Sequence, residues 1–424
     1  MRPVITNTLN NGFRVYSQSD PSRSLNLSGI VVRVGSSSDP PQFCGLAHLL
    51  EHLIFRKTKN HSLQEVRLMA QQLGGLKNFN IGTSREGTYF FTPNMLRRNR
   101  LQEYFALIAD LVRNFKVDLG GLKTEKGAIN PEIPLTGLDV LPEEIIDILH
   151  ESVYAKNPIR NRVAGYPATV KPIPPSRITN FYNRYYTASN MAAIILGPKH
   201  NCAMRMAREY FGDMPPSKVP ERFREYEPFN EDLPTFDTIK TVIQERPGIH
   251  QAHIAIGFPL KIVPKDIPAF ELIADILDSR LFEKLREENQ DFDGGVYNAP
   301  VSFEYSKLHS IFIVRTAINS SYVESATEKI VVEFQKIRNE LVDDPFFNAS
   351  VEALLSDYRI AFEQSGEMLC DMITNAFVND DEELRSLHNY PKALKRLNPK
   401  KLMLLANQYI NPQKSVRVII KPAS

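Results

Sequence analysis

Five prolines, Pro215, Pro216, Pro220, Pro228 and Pro234, fall between Phe211 and Asp237 and are mixed there with charged residues. Proline fixes φ and carries no backbone N–H, so this stretch cannot form a helix interior or a central strand and reads as an extended linker. It cuts the 424-residue chain near its middle, into residues 1–213, a linker over 214–237 and residues 238–424. Each flank has the size of an ordinary domain. Two flanks of similar length raise the question of duplication, which the order of their elements answers.

In the first half, β-branched and aromatic runs at Gly12–Tyr16 and Leu27–Val34 read as strands. Helical spacing follows at Leu46–Phe55 and Leu63–Leu73, the second stopped by Gly74-Gly75. Strands at Asn78–Thr83 and Gly87–Thr92 lead to an amphipathic stretch over Leu101–Val112, and the half closes with a helix near Pro175–Tyr186, a strand at Met191–Leu196 and a helix from Cys202 to Phe211. The second half repeats the grammar. Strands at Ile239–Gln244 and Ala252–Phe258 precede helical Ala269–Leu285, strands near Tyr297 and at Ser310–Thr316 precede helices, and Lys400–Tyr409 then Val416–Ile420 end it. The expectation is an α+β protein of two structurally similar α/β domains, each a mixed sheet packed with helices.

Hydrophobic residues at 42% and charged residues at 24% allow each half its own core. With Lys+Arg 51 against Asp+Glu 49, the net charge of +2 is too small to neutralise many phosphates, which argues against nucleic acid. There is no apolar run of about 18 residues to span a bilayer, and the N-terminus lacks the apolar segment of a secretory signal. Cys44, Cys202 and Cys370 are too few and too scattered for a disulfide framework or a cysteine zinc site. A soluble, cytoplasmic protein is expected.

The sharpest local signal is His48-Leu49-Leu50-Glu51-His52, inside the apolar run Gly45–Phe55. Histidines four apart share one helix face, so both imidazoles can reach one metal, and Glu51, three residues after His48, shares that face. A zinc ion lowers the pKa of its water to near 7, and a carboxylate beside it can take the proton. With 9 histidines in the chain, chance yields such a five-residue pattern about once in a hundred chains, so a third ligand must be sought elsewhere. Glu125 and Glu132 are candidates, because seven residues is nearly two helical turns and would align both carboxylates. A solvated acidic face is the alternative reading, and Pro131 would kink a helix between them. His250 and His253 straddle a strand start and read as packing or surface residues.

His-x-x-Glu-His is the inverted zincin order, and its setting resembles the pitrilysin/insulinase family of zinc metallopeptidases, which includes mitochondrial processing peptidases and half-length bacterial relatives. Leu9–Gly12, Val34–Asp39, the Gly45–Phe55 helix and Asn80-Ile81-Gly82-Thr83 all match that family's pattern, as do Glu125 and Glu132, the latter 80 residues after His52. The resemblance implies Zn2+ held by His48, His52 and Glu132, Glu51 as the base, and Glu125 as its support. It also implies that the strand bearing Asn80 pairs with substrate backbone, and that Arg286 and Tyr297 contact substrate. Half-length members pair around a chamber, so the resemblance implies a peptide substrate and a dimer. Tyr297 stands 11 residues after Arg286, where the family usually has seven. That longer spacing leaves two arrangements open: a homodimer, or a heterodimer with a second half-length chain carrying an intact Arg/Tyr pair. The same fold also serves structurally in respiratory assemblies, so a non-catalytic structural or binding subunit is the rival expectation.

Overall fold

The computed structural model describes residues 2–20, 27–76, 79–92, 100–132, 141–197, 199–221, 239–287 and 299–423. The first half contributes, in chain order, β1 (Ile5–Thr8), β2 (Arg14–Ser19), β3 (Leu27–Val32), α1 (Leu46–Ile54), α2 (Leu63–Gln72), β4 (Asn80–Thr83), β5 (Thr88–Phe91), α3 (Leu101–Arg113), α4 (Leu119–Glu132), α5 (Leu141–Val153), α6 (Pro167–Val170), α7 (Pro175–Tyr185), β6 (Met191–Gly197) and α8 (His200–Phe211). The second contributes β7 (Lys240–Arg246), β8 (Ala252–Leu260), α9 (Ile267–Phe282), β9 (Val301–Tyr305), β10 (Ser310–Ile318), α10 (Val323–Asn339), α11 (Asp344–Glu363), α12 (Gly366–Val378), α13 (Arg385–Leu394), α14 (Pro399–Tyr409) and β11 (Val416–Pro422). Most of the expected linker lies outside the described residues. Among those described, no helix is long and apolar enough to cross a membrane.

The first sheet runs β1-β2-β6-β3-β5-β4 and the second β7-β11-β8-β10-β9. In each, the strand that closes its half lies parallel to one neighbour, β2 for β6 and β7 for β11, and antiparallel to the other, β3 and β8. The remaining pairs, β3–β5–β4 and β8–β10–β9, are antiparallel. The two mixed sheets therefore share one topology, with β1 an added edge strand on the first, and the expected α+β duplication is what the chain forms.

The sheets follow the two halves 1–213 and 238–424, whereas the compact units do not. One unit gathers Met1–Ile133, Asn161–Glu227 and Arg359–Leu387, and the other Pro134–Arg160, Pro228–Tyr358 and His388–Ser424. The cause is an exchange of helices. On α5, Ile145, Ile148 and Leu149 bury against Ala255, Ile311, Ile313, Val416 and Val418. Strand alternation sends Ile254, Ile256, Phe312 and Ile419 to the opposite face, into the core under α9, α10 and α14. In the first unit α12 packs on β3 and β6, the counterparts of the strands α5 meets. There the fully buried Arg33 lies 4.1 Å over the Phe377 ring and reaches Asp380 at 2.6 Å and Glu382 at 3.0 Å. Each sheet thus has one face covered by a helix from the other half of the sequence.

Candidate metal centre

Helix α1 is only nine residues long, too short to hold together in water by itself. Tertiary packing fixes it. Leu46, Leu49, Leu50 and Leu53 are wholly buried in the first unit's core, each stabilising the docked helix by about 1.5–3 kcal/mol. That stripe rotates His48, Glu51 and His52 to the opposite, partly open face. At the N-terminus, Gly45 adopts φ +95°, and a Cβ there would stand 2.7 Å from the Ala164 carbonyl oxygen. The turn directs the Gly45, Leu46 and Ala47 amides onto the buried Asp39 carboxylate, at 2.7, 3.1 and 2.9 Å. Burial pushes this carboxyl up, and the three N–H donors pull against that.

His48 Nε2 and His52 Nε2 stand 3.2 Å apart, with their rings nearly perpendicular at 88°. Two nitrogens on adjacent corners of tetrahedral zinc, with bonds of about 2.0–2.1 Å, are separated by about 3.3 Å, so the pair fits one ion. Glu51 Oε2 lies 3.9 Å from His48 Nε2, beyond direct hydrogen bonding and suited to a bridging water. Thr83, at the end of β4, donates to that same oxygen at 3.1 Å and holds the carboxylate beside the imidazoles. One ligand atom from each of His48, Glu51 and His52 lies within 4.8 Å of the others. Burial, with the Glu51 charge adding to it, pushes the neighbouring Tyr186 phenol well up and keeps it neutral.

Glu125 does not join the nitrogen pair directly. Its Oε2 sits 3.4 Å from His52 Nδ1, the ring nitrogen turned away from His48, and its Oε1 accepts from Arg56 at 2.7 Å. This is how carboxylates support metal-bound imidazoles: they orient the ring and raise its basicity. Arg56 escaped the sequence reading, although it stands four residues after His52, one turn on, and Thr83 reads there only as part of the Asn80–Thr83 strand, not as a partner of Glu51. Helix α4 includes Pro131 and ends at Glu132, whose side chain lies outside the described residues. Asn80 is exposed on β4, the edge strand of its sheet among the described strands. Arg286 belongs to the second unit and stacks 5.1 Å from the Phe282 ring, and Tyr297 lies outside the described residues.

Burial, with His52 second, lowers the His48 pKa from the ordinary 6.5 to about 4. The nitrogen therefore keeps its lone pair for a metal well into the acid range. In the metal-free chain the unfolded state takes up this proton first as pH falls. Stability is then full above pH about 6.5, declines as pH falls towards about 4, and levels off below. The loss should reach about 3 kcal/mol. Urea midpoints of the chelated protein across this range should show it, and His48→Gln should flatten the slope.

Residues 14–166 match the family model described as "Insulinase (Peptidase family M16)", and residues 172–354 match the one described as "Peptidase M16 inactive domain". The chain belongs to peptidase family M16, the insulinase family. The mitochondrial-processing peptidase subunit beta of Neurospora crassa is 28% identical over 211 residues, which make up 50% of this chain and 43% of that protein. The chain thus spans under half the length of that curated relative. An uncharacterized zinc protease of Bacillus subtilis is 23% identical over 311 residues, 72% of each chain. In fold, a protease from Helicobacter pylori superposes on 100% of both chains with a TM-score of 0.88 at 19% identity.

Proposed function

We propose that this chain is a zinc-dependent endopeptidase that cleaves short or unfolded peptides and works in the cytoplasm. The observation that carries the reading is the His48–His52 nitrogen pair at tetrahedral spacing, with Glu51 on one side and Glu125 behind His52. His48 and His52 would hold the zinc, and Glu132 is proposed as the third protein ligand on the family pattern. When bound, zinc makes a water acidic near neutral pH and polarises a carbonyl oxygen. Glu51, steadied by Thr83, takes the proton from the attacking water at Oε1 or Oε2 and passes it to the leaving amine. Glu125, locked by Arg56, keeps the His52 ring aimed. The outer edge of β4, which pairs with no further strand among the described residues, would accept an extended substrate as an added strand, with Asn80 at its start. Arg286 and Tyr297 are proposed to contact substrate, in a dimer that is either a homodimer or a pairing with a second half-length chain.

Removing the metal tests this. A purified preparation should cleave an unfolded peptide, lose the activity to a chelator and regain it when zinc is added back. Full activity of a single purified species, with its mass giving two copies, would select the homodimer. The description of the model matched at residues 172–354, an inactive domain, favours a second reading, a non-catalytic subunit. That reading requires no cleavage even in a zinc-replete preparation.

A further inference from the structure

A second pair of histidines meets a carboxylate in the other unit. His150 is in the last turn of α5, Glu304 is the penultimate residue of β9, and His309 ends the turn that leads into β10. One ligand atom from each lies within 4.8 Å of the others. His150 Nε2 and His309 Nε2 both face Glu304 Oε2, at 3.1 and 3.5 Å. Adjacent corners of a tetrahedral site with bonds of about 2.0–2.2 Å are about 3.3 Å apart, so both separations suit a shared ion. The side chains of His150 and His309 are 0% and 5% exposed, whereas that of Glu304 is 37% exposed. The nitrogens are thus held inside the protein, and the carboxylate opens the site to solvent.

The surroundings are built to fix these groups. Asn157, just after α5, donates to the Leu308 carbonyl at 2.6 Å and ties that segment to the β9–β10 turn. Within the turn, Ser306 N donates to the His309 carbonyl at 2.8 Å, and Ser306 Oγ lies 3.0 Å from His309 Nδ1. One nitrogen of His309 is therefore occupied, while its buried Nε2 makes no hydrogen bond among the described residues and points at Glu304. The Tyr154 ring stacks 6.0 Å from His150 and meets His309 edge-on at 5.8 Å. Two imidazole nitrogens and one carboxylate oxygen gathered this closely are the donor set of a zinc-like divalent ion.

The geometry points to a second divalent-metal site, formed by His150, Glu304 and His309 with one position open to solvent, which clamps the β9–β10 hairpin to α5. It is independent of the peptidase reading. The test uses the full chain and zinc alone, reading bound zinc per chain after equilibrium dialysis and the zinc-induced rise in Tm. Glu304→Gln should hold one zinc fewer than the unaltered chain and lose part of the rise in Tm. Ser306→Ala keeps all three ligands but releases the His309 ring, and should weaken this zinc about 10–100-fold. His52→Ala should leave it in place. An unchanged zinc count in folded Glu304→Gln, or loss of all zinc in His52→Ala, would overturn the assignment.

Discussion

Glu51→Gln will cut peptide cleavage by about 10²–10⁴-fold, the range supplied by a well-placed general base, and will leave zinc content unchanged. The substitution keeps the shape of the side chain and an oxygen that can still accept from Thr83, now 3.1 Å from Glu51 Oε2. It removes only the ability to take a proton from water. The two nitrogens 3.2 Å apart on His48 and His52 are untouched, so the metal should stay. Because chemistry rather than binding is lost, the fall should appear in kcat with KM little changed. The decisive comparison is turnover per bound zinc in the two proteins. A variant that keeps more than about a tenth of the activity at equal zinc would remove Glu51 from the base role and leave the metal pair standing.

The site helix was legible in the sequence because one periodicity carries two messages. Leu46, Leu49, Leu50 and Leu53 mark the face that must be buried, and the remaining face then has to carry His48, Glu51 and His52. Duplication was legible for a similar reason: strand and helix order survive in each half even where the residues differ. The exchange of α5 and α12 was not, since an amphipathic helix reads the same whichever sheet it covers. Glu125 was found as an acid, but its partner Arg56 and its place behind His52 depend on how α4 packs on α1. His150, Glu304 and His309 carry no shared spacing at all. They meet only because α5 lies on the second sheet, beside a hairpin formed more than 150 residues further along the chain.

Asp39 shows the same limit on a smaller scale, and it sets the second large effect. A helix start is ordinarily sought in the residue next to the first turn, yet Asp39 stands six residues before Gly45 and reaches back across a loop. It accepts from three consecutive amides at 2.7–3.1 Å and is itself fully buried. Asp39→Ala strands those donors in a place water does not reach. Each of the three buried donors left without a partner costs about 1–3 kcal/mol, so the loss should be at least about 3 kcal/mol by urea unfolding, above the ordinary loss of a helix cap. Asp39→Asn, which keeps one acceptor oxygen, should lose less. The same substitution should weaken zinc in the fraction that stays folded, because His48 follows Ala47 directly and its ring is carried by the turn that Asp39 holds. A stability loss under about 1 kcal/mol would mean that the leucine stripe alone seats the helix. A large loss with unchanged zinc affinity would mean that the cap serves the fold and leaves the metal ligands where packing has already put them.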